Sequence, residues 1–389
     1  MAKYNFHEKL DRYNTSSVKW EMTKQVFGEE EILPMWVADM DFQPPKEVTD
    51  ALKNRVEHGI YGYTFTPPSA TEAVQSWLKK RHDWEVDSSS VIYSPGVVPS
   101  IGIAVNALTE PGDKVLMQSP VYPPFFNMVK NNDRVVVNSP LLLKNNRFEI
   151  DFADFEEKLK EGVKLFILCN PHNPGGRVWT EEELRKMADL CIKYDCLILS
   201  DEIHSDLIYS PNVHVPMVKL DKKYEDYIVT CIAPSKTFNI AGLQASAVIV
   251  PNEKLRVAFQ KVQGKQGFHA LNTFGVIGLE AAYRHGEEWL EELLVYLTEN
   301  VELSIKFIEE QIPNLSVMRP DGTYLLWIDC RKSGLSDAEI KEALLKKGKI
   351  GLEPGPKYGQ GGEGFVRMNI ACARDVLMDG LERLKKAFD

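Results

Sequence analysis

Tyr227-Ile-Val-Thr-Cys-Ile-Ala-Pro-Ser-Lys236-Thr-Phe-Asn-Ile-Ala-Gly242 passes from a continuous apolar run into a polar turn. An apolar run without alternation reads as a strand buried on both faces, the pattern of a sheet covered by helices. Ligands of such sheets bind beyond the carboxyl ends of the strands. The side chain in that place is Lys236. An amine held at a strand end, where neighbours can desolvate it, can be tuned toward Schiff-base formation with an aldehyde. Taken alone, a lysine reads more readily as a solvated surface ammonium, so its partners elsewhere in the chain have to decide.

Working outward, similar apolar runs occupy residues 114–118, 134–138, 164–169, 196–200 and 245–250, with helical patterns between them. This alternation from Pro44 to Gly286 predicts an α/β fold with a mostly parallel sheet covered by helices. Ser69 with Glu72, and Thr180 with Glu183, have the spacing of capping boxes and predict two helix starts. Beyond Gly286, Leu290, Leu293, Leu294, Leu297, Val301, Ile305 and Ile308 fall on one face of a single long helix that ends before Pro313. Short strands near 324–328 and 365–369 and helices near 337–347 and 373–388 then suggest a smaller α/β lobe. The expected division is an N-terminal segment (1–44) packing with the small domain, a large domain (45–286) and a small C-terminal domain (287–389).

Composition narrows the partners. The 389 residues are 44% apolar and carry a net charge of −10 with no basic block, which disfavours nucleic acid and anionic membrane surfaces and favours small solutes. No stretch approaches the roughly 18 apolar residues of a spanning helix, and the first residues have no apolar core of a signal peptide. The expectation is a soluble, cytoplasmic protein. Six cysteines, at 169, 191, 196, 231, 330 and 372, have neither metal-ligand nor disulfide-framework spacing and read as core thiols.

Four strand ends carry candidate chemistry. Ser94-Pro-Gly96-Val97-Val98-Pro-Ser100 feeds a helical pattern whose free amides suit an anion. Asn170-Pro-His-Asn173-Pro-Gly-Gly-Arg177 reads as a rigid turn presenting Asn173, or as a plain tight turn. Ser200-Asp201-Glu202-Ile-His204 places a carboxylate where a strand ends; it also admits a helix N-cap, or a metal site with Asp206. Adjacent residues in an extended segment point opposite ways, which weakens the metal reading. A hydrolase triad lacks its G-x-S-x-G elbow. Lys236 is the fourth. An amine, a carboxylate, an amide and an anion-binding turn suit pyridoxal 5′-phosphate better than a nucleotide, and no G-x-G-x-x-G follows the first strand.

Asn-Pro-His-Asn-Pro-Gly-Gly (170–176), Ser-Asp-Glu-Ile-His (200–204), Ser-Lys-Thr-Phe-Asn-Ile-Ala-Gly (235–242) and Val-Arg-Met-Asn-Ile-Ala-Cys (366–372) resemble fold-type I pyridoxal-phosphate enzymes of the aminotransferase class. Pro34-Met-Trp-Val-Ala-Asp-Met-Asp-Phe42, Tyr61-Gly-Tyr63 and Ser119-Pro-Val-Tyr122-Pro-Pro-Phe-Phe126 are similar to the cystathionine β-lyase, or cysteine-S-conjugate β-lyase, branch. That resemblance implies Lys236 as the amine bonded to the cofactor and the base at Cα, with Asp201 at the pyridine nitrogen. It implies Asn173 at O3′, Tyr122 on the ring face, and phosphate held by Gly96, Val97, Val98 and Ser235. His204 falls where many relatives have a tyrosine, and is either a cofactor ligand or a structural histidine. Gln244 and Ala233 replace an arginine and a serine of many aminotransferases, implying a less positive phosphate cup helped by Tyr63 of a second subunit, hence a homodimer. Arg367 matches the clamp on the substrate α-carboxylate, with Asn173, Tyr122 and Trp36 beside it; Phe125 is a further candidate wall. The glycine-rich stretch 351–364 reads as a mobile loop at the pocket mouth. The reaction implied is β-elimination on a small amino-acid thioether such as cystathionine; the alternatives are an aminotransferase and a cofactor-holding regulatory protein.

Overall fold

The computed structural model describes residues 3–389. Among them the strands are β1 Leu33–Pro34, β2 Val91–Ser94, β3 Lys114–Met117, β4 Val135–Asn138, β5 Leu142–Lys144, β6 Arg147–Glu149, β7 Leu165–Cys169, β8 Leu197–Asp201, β9 Ile228–Ile232, β10 Ser246–Ile249, β11 Ser316–Met318, β12 Leu325–Asp329, β13 Ile350–Gly351, β14 Glu353–Pro354 and β15 Phe365–Asn369. Seven form one sheet in the order β2-β10-β9-β8-β7-β3-β4. From β4 to β9 every pairing is parallel, and β10 alone runs against both of its neighbours. The fold is α/β as expected, with one reversed strand inside a mostly parallel sheet.

The apolar runs have the cause expected of them. Every residue of β7 and of β9 is buried. Successive side chains of a strand point to opposite faces, so Phe166, Leu168, Ile198, Ile228 and Ile232 enter one core layer while Leu165, Ile167, Leu199, Val229 and Cys231 enter the other. Each fully buried aliphatic side chain contributes about 1.5–3 kcal/mol.

Three corrections concern local signals. The helix Pro68–His82 starts one residue before Ser69, with Pro67 as its cap residue and Pro68 in its first turn. Proline is preorganised for that position, and Ser69 lies inside the turn where it cannot cap. Thr180 and Glu183, in contrast, make both bonds of a capping box on Glu181–Lys193. The 337–347 helix is split: Asp337–Glu342 is α-helical behind a Ser336/Glu339 capping box, and Ala343–Gly348 is a wider π turn. Strand β2 and the β5–β6 hairpin were not anticipated, because neither has an apolar run long enough to announce a strand.

The long helix Glu287–Gln311 buries Leu290, Leu293, Leu297, Val301, Ile305 and Ile308. It begins at Gly286, where a Cβ would stand 2.3 Å from the Phe238 ring; glycine lets the helix start against the lysine-bearing turn. A second sheet, β11-β12-β15-β14, is antiparallel throughout. The N-terminal segment joins it through the parallel pairing of β1 with β13 and through Asn369 N–H of β15, which donates to Met35 O. No described helix is long and apolar enough to cross a membrane.

Candidate active site

The carboxyl ends of β2, β7, β8 and β9 surround one cavity of about 420 Å³, lined by Gly96, Val97, Val98, Tyr122, Asn173, Asp201, His204, Ser235 and Lys236 among others. Nine of the residues singled out in the sequence are thus brought together. Val97 opens the helix Val97–Leu108, whose N-cap, Gly96, has no capping side chain. The first amides of a helix lack intrahelical acceptors, so this end offers donors to an anion.

After β7 the chain turns through Asn170–Gly176, fixed by His172 N–H to Arg177 O and Gly176 N–H to His172 O, both 2.7 Å. The turn packs tightly: Gly176 has φ +66°, and a Cβ there would sit 2.6 Å from Pro320. Cys169, read as a core thiol, also lines the cavity and accepts the Asn173 N–H at 3.4 Å. Asn173 Oδ1 in turn accepts from Arg367 Nη1 at 3.1 Å.

Asp201 ends β8 and is buried. Among the described residues its carboxylate accepts one hydrogen bond, from Ile203 N–H at 3.2 Å. Burial pushes its pKa up to about 7, opposed by that bond and reinforced by the neighbouring Glu202 charge. Burial likewise pushes Lys236 down to about 8, with the Asp39 charge opposing and Arg367 assisting. Its Nζ donates to Ala38 O at 2.5 Å. His204 is pushed down to about 3 by burial and by the cations Lys236 and Arg367. It is neutral at pH 7, and its Nδ1 has no partner among the described residues.

Arg367 is central in its sheet, between β12 and β14, and buried. Its Nη2 donates to Trp36 O at 2.7 Å, its Nε is unpartnered, and the guanidinium lies 5.4 Å from the Tyr358 ring centre. Trp36 meets this site through its carbonyl. Its indole N–H donates to Lys19 O at 3.0 Å and its ring packs edge-on to Phe27. Phe125 is fully buried beneath Tyr122, ring centres 5.7 Å apart, rather than forming a wall. Tyr63 is fully exposed and does not line the cavity.

Sequence reasoning singled out the stretch 34–42 and Trp36 by resemblance, but not the role of the Met35–Met40 backbone. Each carbonyl in it accepts a hydrogen bond: Met35 O from Asn369 N–H, Trp36 O from Arg367, Val37 O and Asp39 O from Asn369 Nδ2, Ala38 O from Lys236 and the Tyr324 hydroxyl, and Met40 O from Asn239 and Arg12. The signal was faint because the acceptors are backbone atoms. The glycine-rich stretch is also better anchored than a free loop. Tyr358 O accepts Val121 N–H at 2.9 Å, and Gly359 and Gly361 pack on Phe126, Ser119 and Pro120.

The residues that a metal site would have used split into two groups, Asp201 and His204 lining the cavity and Glu202 and Asp206 turning away from it. Glu202 turns to His214 and Asp206 to His82.

Residues 30–384 match the family of class I and II aminotransferases. The chain belongs to that family. Within it, cystathionine β-lyase PatB of Bacillus subtilis is 49% identical over 384 residues, covering 98% of this chain and 99% of that one. Protein MalY of Escherichia coli is 31% identical over 387 residues, covering 99% and 98%. The solved structure of cystalysin from Treponema denticola, which contains a pyridoxal 5′-phosphate cofactor, superposes with a TM-score of 0.96 at 36% identity, covering 99% of this chain and 98% of that one. This member of the aminotransferase family therefore aligns over nearly its full length with these two relatives and with a cofactor-bearing neighbour.

Proposed function

We propose that this aminotransferase-family chain is a pyridoxal-phosphate-dependent carbon–sulfur β-lyase. It cleaves cystathionine or a related cysteine thioether by α,β-elimination to a thiol, pyruvate and ammonia. The observation that carries the reading is Lys236: a half-buried amine with a lowered pKa, sharing one cavity with Asn173, which bonds Arg367, and with the buried carboxylate of Asp201, whose one partner among the described residues is the Ile203 N–H. The near-half identity to PatB over the whole chain supports the choice of reaction.

The donor set fits the cofactor. Asp201 is a buried carboxylate lacking a cation, which a protonated pyridine nitrogen would complete. The Val97 and Val98 amides at the helix start, with Ser235, would hold the phosphate, Asn173 would donate to O3′, and Tyr122 would cover the ring. Bound there, the cofactor provides an electron sink for the pair left at Cα. Arg367, whose Nη1 and Nη2 donate to Asn173 and Trp36 O in this structure, would hold the substrate α-carboxylate through its planar donor set. Lys236, close to half neutral near its pKa of about 8, takes the Cα proton. Breakage of the Cβ–S bond releases the thiolate, and the three-carbon remainder takes up water to give pyruvate and ammonia.

The reading extends to assembly. Ile60, Tyr61, Tyr63 and Phe65 are exposed together on the stretch 59–67, which supports a homodimer in which Tyr63 completes the partner's phosphate cup. Residues 45–286 act as the cofactor-holding domain and 287–389 as the smaller one, with 1–44 packing on the latter; the β1–β13 pairing supports this. The enzyme works on a small amino acid in the cytoplasm.

The deciding experiment loads purified protein with pyridoxal phosphate and supplies cystathionine without a keto acid. Pyruvate should appear, and Lys236→Ala should abolish both pyruvate and the visible band of the bound cofactor. Strict dependence on a keto-acid acceptor would instead make the protein a transaminase.

A further inference from the structure

Two carboxylate–histidine pairs lie buried under the site, and neither pair lines the cavity. Glu202 Oε1 accepts from Ser200 Oγ at 2.8 Å and from Met217 N–H at 3.3 Å, while its Oε2 meets His214 Nε2 at 2.9 Å. Asp206 Oδ1 accepts from Trp77 Nε1–H at 3.1 Å and meets His82 Nε2 at 3.0 Å; its Oδ2 accepts from Thr237 Oγ1 at 2.8 Å. The two imidazoles pack edge to face, centres 5.3 Å apart at 79°. His82 closes the helix Pro68–His82. Burial raises the Asp206 pKa, but the bond and charge of His82 more than offset this and hold it below the usual carboxylate value.

Such clusters are poor sources of stability, since apolar residues of similar volume often do as well or better. What distinguishes this one is where it attaches. Ser200 and Glu202 flank Asp201 in the chain, and Thr237 follows Lys236. We propose that Glu202 and Asp206 are positioning residues: paired anchors that fix the two strand-end segments carrying Asp201 and Lys236 at a set separation. The inference rests on the reading of those two residues as the cofactor's carboxylate and amine partners. Geometry at this level matters because a misplacement of about 1 Å can cost about 100-fold in rate.

Thr237→Val cuts Asp206 loose from the lysine turn at nearly constant volume, Thr237→Ser keeps the hydroxyl, and Ser200→Ala loosens Glu202 beside Asp201. Each is loaded with pyridoxal phosphate and compared with the parent by visible circular dichroism of the bound cofactor, melting temperature, kcat and KM for cystathionine. Thr237→Val should lower kcat by about 10-fold, leave KM within about two-fold and at least halve the visible dichroism. Thr237→Ser should restore both, and Ser200→Ala should shift both in the same direction by less. Parent-like dichroism and kcat in Thr237→Val and Ser200→Ala overturn the proposal, as does a fall in melting temperature alone. Should Thr237→Val fail to fold, Ser200→Ala decides on the same two readouts. A parent protein with no visible cofactor band sinks the cofactor reading rather than this one.

Discussion

Asp201 and Lys236 are both held against the charge each prefers in water, and the sign of that cost can be worked out. An acid raised to about 7 in the fold binds a proton between its unfolded pKa near 4 and pH 7 that the unfolded chain has released. The unfolded state then binds fewer protons, so this group's contribution to stability falls as pH rises through that window, by about 4 kcal/mol across three pKa units. Asp201→Asn removes the titration. Cofactor-free Asp201→Asn should therefore melt higher than the parent at pH 8, with the gap closing toward pH 4, while the loaded variant loses activity; calorimetry across pH would expose the opposite order if burial were not the cause. Lys236, lowered to about 8, has the complementary sign, its contribution rising from pH 8 toward 10.5. Arg367→Lys keeps the charge but not the fork, and should lower kcat/KM by about 100-fold, roughly 2.7 kcal/mol of transition-state binding, in steady-state assays. These residues were legible because each is polar at a place where the pattern demanded apolar or turn residues. Ala38 and Tyr324 were not, since one acts through its carbonyl and the other reaches in from the second sheet.

At the level of elements, legibility followed the strength of the local signal. Residues 228–232 and 165–169 are strands buried at every position, and nothing but a two-sided core asks for such a run. The spacing Ser69/Glu72 misled because Pro68 outcompeted it: a ring already at the helical φ fixes the first turn without a side-chain cap. Thr180 has no such rival. Thr180→Ala should cost about 1 kcal/mol, read as a lower urea midpoint at unchanged slope, and Thr180→Ser should recover most of it. The split of the 337–347 helix left no trace in periodicity, because a single wide turn shifts the phase by only one residue.

For the whole molecule, the proposed second subunit is the element least visible in one chain. Tyr63 touches nothing that would explain its ring in isolation, being fully exposed. Tyr63→Ala should leave the melting temperature of cofactor-free protein within about 1 °C, as expected of a surface change, yet weaken pyridoxal-phosphate retention in dialysis and make activity fall on dilution. Parent-like retention would remove Tyr63 from the phosphate cup. Charge and composition disfavoured nucleic acid and anionic membrane partners at this scale but could not choose among small substrates, because that choice lies in the walls of one cavity. The segment Met35–Met40 joins the scales. The second sheet and the lysine-bearing turn grip it by successive carbonyls, so its residue count is as fixed as its composition. Deleting or duplicating a single residue would put every later acceptor out of phase with its donor, so this stretch should be closed to changes of length, while its side chains are held separately, Met35 and Met40 by the core and Asp39 by Arg12.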